Sequence, residues 1–452
     1  MQVRKAHSLI GRVYDPRNLA RAWVRVKENR GAGGVDRISI DRFEREHRRY
    51  LTVLHQRLAE GSYRPLPVRR VEIDKPGSTA KRPLGIPTVV DRVCQQALRQ
   101  VLEPIFEPTF SEVSFGFRPE RSAHMAMRRI WSQMQAGGRW IVDADIADFF
   151  GTISHDRLVA LVAKRVADSK VLSLIRQILT AGVLRDGVYE STIAGTPQGG
   201  VISPLLSNIY LHVFDEQMQR AGFQLTRYAD DWLCVCRTRE EAERALASAR
   251  AVLEGQLGLR IHPEKTRIVH VSQGFEFLGY KIGLGRGLRF KSGGSGLYAI
   301  PRQRSIDRFK DKVRALTRRR IAVPLEELIH VLNPVIRGWG MYYRRANVRR
   351  LFNRLNRWIV RRIWGWRFKR WRNAGWRTLP ETRLYGEYGL VNLLQLIPSM
   401  REYYRQKGYT IESRLRENCT SGSAGRAEVA DYPSAASPDP TLIEPSGQHN
   451  RR

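Results

Sequence analysis

Residues 227–236 read RYADDWLCVC. Two adjacent carboxylates, Asp230 and Asp231, stand between an aromatic and an apolar run. Tyr228 on one side, and Trp232, Leu233, Cys234, Val235 and Cys236 on the other, read as β-strand. A turn at the Asp pair makes this a predicted hairpin with its charges at the tip. Like charges side by side repel, and burying them unpaired costs roughly several kcal/mol each. A divalent cation removes that penalty. Hard oxygen ligands suit Mg²⁺, which keeps waters and substrate phosphates in its shell. Two such ions can clamp the attacking and leaving oxygens of phosphoryl transfer. That chemistry needs a further carboxylate from a neighbouring strand. WIVDADIADFF at 140–150 reads as a buried strand ending in aromatics, and it offers Asp143, Asp145 and Asp148. Asp143 and Asp145 would share a strand face. An Asp pair at a turn is also common in proteins that bind no metal, so its company matters.

The elements that must position these carboxylates read as follows. Residues 1–60 have a helical pattern broken by the glycines of GAGGVD at 31–36. Residues 67–75 alternate like a strand, PGSTA at 76–80 is a turn, and KRPLGIP at 81–87 is the returning strand. Helical spacing recurs at 91–106, 155–183, 201–221 (an amphipathic pattern) and 239–256, with strands near 266–271 and 275–282. Strands and helices mix without a regular alternation, which predicts an α+β fold. From 303 to 372 the pattern is almost wholly helical. Val348, Leu351, Phe352, Leu355, Trp358, Ile359, Ile363 and Trp366 fall on one face there, and Arg349, Arg350, Arg354, Arg357, Arg361 and Arg362 cover much of the rest. Residues 417–452 are rich in Ser, Pro, Gly and Ala and are predicted to be disordered.

Charge narrows the partner. The 452 residues hold 78 Lys+Arg against 44 Asp+Glu, a formal net charge of +34. Residues 301–372 hold 22 of those basic residues and only 4 acidic ones, so over half the excess lies in one sixth of the chain. A polyanion explains this, because basic side chains replace counterions condensed on phosphate. The chain shows no apolar run near 18 residues and no signal-peptide pattern. Nucleic acid is therefore favoured over a membrane surface. Cys94, Cys234, Cys236 and Cys419 form no CxxC pair, which argues against a zinc ribbon and for a reducing, cytoplasmic setting.

The order of a strand Asp in D-I-x-x-F-F, then GTPQGG, then Y-x-D-D is that of reverse transcriptases. Over roughly residues 5–415 the chain resembles, block by block, a group II intron-encoded reverse transcriptase/maturase of the bacterial kind. The resemblance is carried by the 31–36 loop, YRPLPVRRVEIDKPGSTAKRPLGIPTVVDRVCQQAL (63–98), LEPIFEPTFSEVSFGFRPERSAH (102–124), GTPQGGVISPLLSNIYLHVFDE (195–216), HPEKT (262–266), FEFLGY (275–280) and LNPVIRGWGMYY (332–343). It implies a right-hand polymerase. The N-terminal extension would be 1–60, fingers and palm 61–290, a helical thumb/maturase domain 301–375, and 376–416 a DNA-binding or C-terminal helical segment. It assigns two Mg²⁺ ions to Asp145, Asp230 and Asp231, with Asp143 and Asp148 left structural or solvated. By the same resemblance Lys75 and Arg82 would grip the incoming triphosphate. Phe150 would exclude a ribose 2′-OH, Gln198 would lie under the templating pair, and Lys265 would protonate the departing pyrophosphate. The arginine rows would bind intron RNA.

Two departures are visible. The family often writes its third block FFD, and here it is FFG, with Gly151. Many members end in a Cys-rich HNH endonuclease domain. This chain has one cysteine after residue 236, so no endonuclease is expected, and a ready primer would be borrowed. The implied partners are group II intron RNA, an RNA template with DNA primer, target DNA and dNTPs, for a monomer or homodimer in a bacterial-type cytoplasm or on the nucleoid. Two other readings remain open at this point: a maturase with weak or lost polymerase activity, and a domesticated reverse transcriptase of the retron, diversity-generating or CRISPR-associated kinds.

Overall fold

The structure is a computed structural model that describes residues 5–74, 81–196, 199–285, 296–318, 320–368 and 376–398. The tail expected at 417–452 lies outside the described residues, as does 399–416. The chain divides into two units, Met1–Gly283 with Pro301–Arg308, and Leu284–Ile300 with Phe309–Arg452.

The first unit begins with four helices: α1 (Ile10–Tyr14), α2 (Pro16–Glu28), α3 (Ile40–Arg45) and α4 (His47–Glu60). Asp15 caps α2 by accepting from the N–H groups of Arg17 and Asn18, and Pro16 presets the first helical φ. The GAGGVD loop is tight because it lies against other backbone. A Cβ on Gly34 would come within 2.6 Å of Thr88 N and Cα. Strands β1 (Val68–Asp74) and β2 (Lys81–Ile86) form the expected basic hairpin, and α5 (Val89–Phe106) follows under a Thr88 cap.

Next come α6 (Ala123–Gln135), β3 (Trp140–Ala144), β4 (Ile146–Ala147) and α7 (Phe149–Thr152). Here the reading of 140–150 as one strand needs correction. The strand breaks at Asp145, and the two phenylalanines start a short helix instead. Asp148 turns the chain with a left-handed φ of 41°, a conformation that apolar patterning does not encode. The helix expected over 155–183 is also two, α8 (His155–Ala163) and α9 (Ser169–Leu179). Between them the N-terminal segment pairs with the chain: the N–H of Ala6 donates to Arg165 O, and that of Ala167 to Ala6 O, both at 2.7 Å. Asp168 then caps α9 through Lys170 and Val171 N–H, and also accepts from Leu9 and Ile10 N–H.

The unit continues with β5 (Val183–Arg185), β6 (Val188–Glu190) and α10 (Ser203–Arg220). The amphipathic reading of α10 fails. Leu205, Leu206, Asn208, Ile209, Tyr210, Leu211, Phe214 and Asp215 are all buried, so the helix is enclosed around most of its circumference. It packs on α5, α8, α11 (Arg239–Arg250) and β7 (Gln224–Tyr228). The remaining strands are β8 (Asp231–Cys236), β9 (Arg260–Ile261), β10 (Arg267–His270), β11 (Phe275–Phe277) and β12 (Tyr280–Gly285). One four-stranded sheet runs β2-β1-β5-β6, and the other, which carries the acidic hairpin, runs β10-β3-β8-β7.

The second unit holds nearly all of β13 (Gly296–Pro301), the part of α12 (Gln303–Leu316) from Phe309 onward, and then α13 (Leu325–Tyr343), α14 (Arg349–Phe368) and α15 (Glu381–Gly386). Trp339 stacks on Phe309 at 4.6 Å and leans on Tyr343 and Phe352. Trp364 and Trp366 are buried and donate to Leu379 O and Ile321 O at 2.9 and 2.8 Å. These tryptophans serve packing, as a buried indole with a satisfied N–H should.

Candidate active site

Strands β7 and β8 are joined through Ala229 and Asp230, with Tyr228 opposite Asp231. Asp230 therefore sits in the turn, and Asp231 already opens β8. On the other flank of β8 lies β3, with Ala144 opposite Trp232. Asp145 follows Ala144 and so emerges at the same end of the sheet as Asp231. Its carbonyl accepts from His262 N–H at 2.8 Å, which anchors the HPEKT turn beside it. From that turn Lys265 reaches back, its Nζ 2.6 Å from Asp145 Oδ2. Asp143 has a separate partner across the β3–β10 pair: Arg267 Nε and Nη2 donate to its Oδ2 at 3.0 and 2.9 Å.

The carboxyl of Asp231 is pushed up to about 6. Lost hydration is the largest cause, and the charges of Asp230, Asp145 and Asp143 add to it, while Arg302 opposes them. Asp231 is open to solvent on one side, yet the protein on its other sides removes enough water to have this effect. Burial also raises Asp143, against the bond to Arg267. Mutually repelling, hard-oxygen donors at one sheet end fit a divalent cation in kind. They do not close around one here. Among the described residues no three His, Cys, Asp or Glu side chains converge as ligands of a single ion, and the Lys265 ammonium neutralises Asp145.

The turn is held by groups that the sequence reading missed. Arg227, fully buried, donates to both oxygens of the equally buried Asp215 at 2.6 and 2.5 Å, to Asn208 Oδ1 at 3.0 Å and to Ser114 Oγ at 2.8 Å. It also donates to Ala229 O at 2.7 Å, fixing the residue before Asp230 at a left-handed φ of 59°. The FGFRP segment presses on the same turn. A Cβ on Gly116 would lie 2.2 Å from Ala229 N, so glycine is required, and Asn208 Nδ2 donates to Gly116 O at 2.9 Å. The available signal was Arg227 itself, a charged residue directly before the Tyr-Ala-Asp-Asp stretch, in a strand that also holds Leu225 and Thr226.

The Gly151 departure has a local counterpart. A Cβ at Gly151 would lie 2.2 Å from Asp148 Oδ2 and 2.8 Å from its Cγ, so the Asp148 carboxylate fills the space of a side chain at 151. The GTPQGG loop lies against the same residues: Thr196 N–H donates to Phe150 O at 2.7 Å. Phe150 is half-buried and meets Phe149 edge-on at 5.1 Å. Lys75 and Gln198 lie outside the described residues. Arg82 has its backbone in β2 opposite Ile73, and its side chain lies outside them. On α14, Arg349, Arg350, Arg354, Arg357 and Arg361 are exposed. Arg362 is not free: it donates to Thr317 Oγ1 and O at 3.0 and 2.9 Å.

Residues 73–282 match the reverse transcriptase (RNA-dependent DNA polymerase) family, and residues 306–383 match the group II intron maturase-specific domain. The group II intron-encoded protein LtrA of Lactococcus lactis is 32% identical over 422 residues, which cover 74% of this chain and 69% of LtrA. The chain belongs to the group II intron-encoded proteins. Protein YkfC of Escherichia coli is 35% identical over 314 residues, 61% of this chain and 82% of YkfC. Nuclear intron maturase 4, mitochondrial, of Arabidopsis thaliana is 32% identical over 147 residues, 32% of this chain and 18% of that protein. This intron-encoded protein thus carries an RNA-directed DNA polymerase domain followed by a helical maturase domain, and its family depends on divalent metal. Among the described residues no helix is long and apolar enough to cross a membrane.

Proposed function

We propose that this intron-encoded protein copies its group II intron RNA into DNA during retrohoming and assists splicing of the same RNA by binding it. The observation that carries the reading is the placement of Asp145, Asp230 and Asp231 at one sheet end, where lost hydration and then the neighbouring carboxylates raise the Asp231 carboxyl. Two Mg²⁺ ions held by these residues would supply charge neutralisation at the attacking and leaving oxygens. Lys265 has two duties in this reading. It neutralises Asp145 in the resting protein, and it carries the proton for the departing pyrophosphate. Lys75 and Arg82 grip the triphosphate, Phe150 excludes the 2′-OH, and Gln198 supports the templating base. Arg349, Arg350, Arg354, Arg357 and Arg361 contact RNA phosphates from the exposed side of α14. Target DNA and a DNA primer complete the set of partners.

One observation favours a second reading, a maturase whose polymerase is idle. The Lys265–Asp145 ion pair is what a disused site would also show. Primer extension on an RNA template with Mg²⁺ and dNTPs separates the two. Extension by the wild type, abolished in Asp230→Ala/Asp231→Ala with intron RNA binding intact, is the expected result. Retained synthesis in the double variant would refute the site, and no synthesis by either protein would leave the idle maturase.

A further inference from the structure

Three of the non-glycine residues with a left-handed φ lie in, or next to a contact with, the segments that carry the carboxylates: Phe117 at 61°, Asp148 at 41° and Ala229 at 59°. Ala229 is explained by Arg227, and Asp148 by the turn into α7. Phe117 is the aromatic residue among the described ones in this conformation, which is unfavourable for any bulky L side chain. Such strain persists only when the surroundings impose it, and it concentrates at functional sites.

The surroundings of Phe117 do impose it. On one side Gly116 is pressed against Ala229. On the other Arg118, buried, donates to Glu107 Oε1 at 2.9 Å, Ser111 O at 2.6 Å and Ser114 O at 2.9 Å. Residues 113–116 and 118 are all buried, yet Phe117 is 44% exposed. Among the described residues it has no aromatic partner. A loop fixed at both ends thus holds an apolar ring toward water, one residue away from the contact with the turn that carries Asp230. Packing gives no reason for that arrangement.

We propose that Phe117 is a nucleic-acid contact, its ring lying against a base or sugar at the end of the primer–template duplex. This rests on the polymerase reading for the identity of the ligand. Flat apolar surface is what a nucleobase offers in any sequence, so an aromatic side chain binds it without sequence preference. A ring preset by its backbone loses little freedom on binding.

The test compares Phe117→Gly, Phe117→Ala and Phe117→Tyr with the wild type. Glycine adopts the left-handed φ freely and alanine does not, so the glycine variant should melt above the alanine variant. Both should nevertheless weaken binding of an RNA-template/DNA-primer duplex, read by fluorescence anisotropy, by about tenfold. KM for the duplex should rise in parallel, with kcat and the KM for dNTP nearly unchanged, and Phe117→Tyr should behave as wild type. Unchanged duplex binding in the glycine and alanine variants would overturn the proposal. So would a fall in melting temperature and kcat at constant KM, the mark of a structural ring. Anisotropy needs no turnover. A wild type that binds duplex but never extends it would therefore sink the polymerase reading and still leave Phe117 judged by binding.

Discussion

Asp148 and Gly151 exchange roles within one helical turn. The family block often carries its carboxylate at the position of Gly151, and here the Asp148 carboxylate covers that glycine, so a side chain at 151 would have to displace it. Asp148 does so from a φ of 41°, which glycine would adopt more easily. The two positions should therefore be coupled. Gly151→Asp alone displaces the Asp148 carboxylate and sets two like charges side by side, and should lower both melting temperature and extension rate. Adding Asp148→Gly removes the clash and the strain together, and should return both to wild-type level or above. Residues in contact commonly couple by about 0.5–3 kcal/mol, well within reach of a thermal double-mutant cycle. Additive effects of the two changes would show that the carboxylates are unrelated. The same scale explains why the Asp pair is tolerated. Its turn is clamped by Arg227 and Gly116, so the repulsion between the carboxylates is not relieved by local movement.

Elements are joined here by single side chains that serve two segments at once. Asp168 caps α9 and also accepts from Leu9 and Ile10 N–H at the start of α1. Burial works against its ionisation, but these four backbone donors outweigh it and hold the carboxyl below the ordinary carboxylate range. A folded value lower than the unfolded one means stability that is present above about pH 4, the unfolded value, and is lost as pH falls through the folded one. Asp168→Ala should therefore destabilise the first unit by about 1–2 kcal/mol at neutral pH. The gap to wild type should close in acid, as the wild-type carboxyl itself becomes protonated. A gap that stays constant across pH would assign the loss to packing instead. Joints of this kind mark the limit of what the sequence discloses. The Asp pair, the D-I-x-x-F-F strand and the GTPQGG loop are local patterns and could be read directly. Arg227 and Asp215 are twelve residues apart on different elements, and nothing in either segment names the other. The burial of α10 was illegible for the same reason, because it depends on what packs behind the polar face. The split of 155–183 coincides with the pairing of Ala6, a residue distant in sequence, to Arg165 and Ala167.

At the scale of the whole molecule, a net charge of +34 is not spread evenly, and the maturase domain carries the densest share. Long-range attraction to RNA depends on total charge, whereas a specific footprint depends on which arginines face outward. Arg349, Arg350, Arg354 and Arg357 are exposed along α14, while Arg362 is bound to Thr317 within the fold. Changing the first four to Glu should weaken intron RNA binding and flatten its dependence on salt. If each contacts one phosphate, the slope of log K against log salt should fall by about 3. Melting temperature should barely move, since exposed side chains contribute little to stability. Arg362→Glu should do the opposite. It places a carboxylate against Thr317 O, so it should lower the melting temperature while the surviving folded fraction keeps its salt slope. The two outcomes divide the arginine rows into a binding face and a structural strut. An unchanged slope in the quadruple variant would make the exposed row a solvated surface, and RNA recognition would have to be sought elsewhere in the chain.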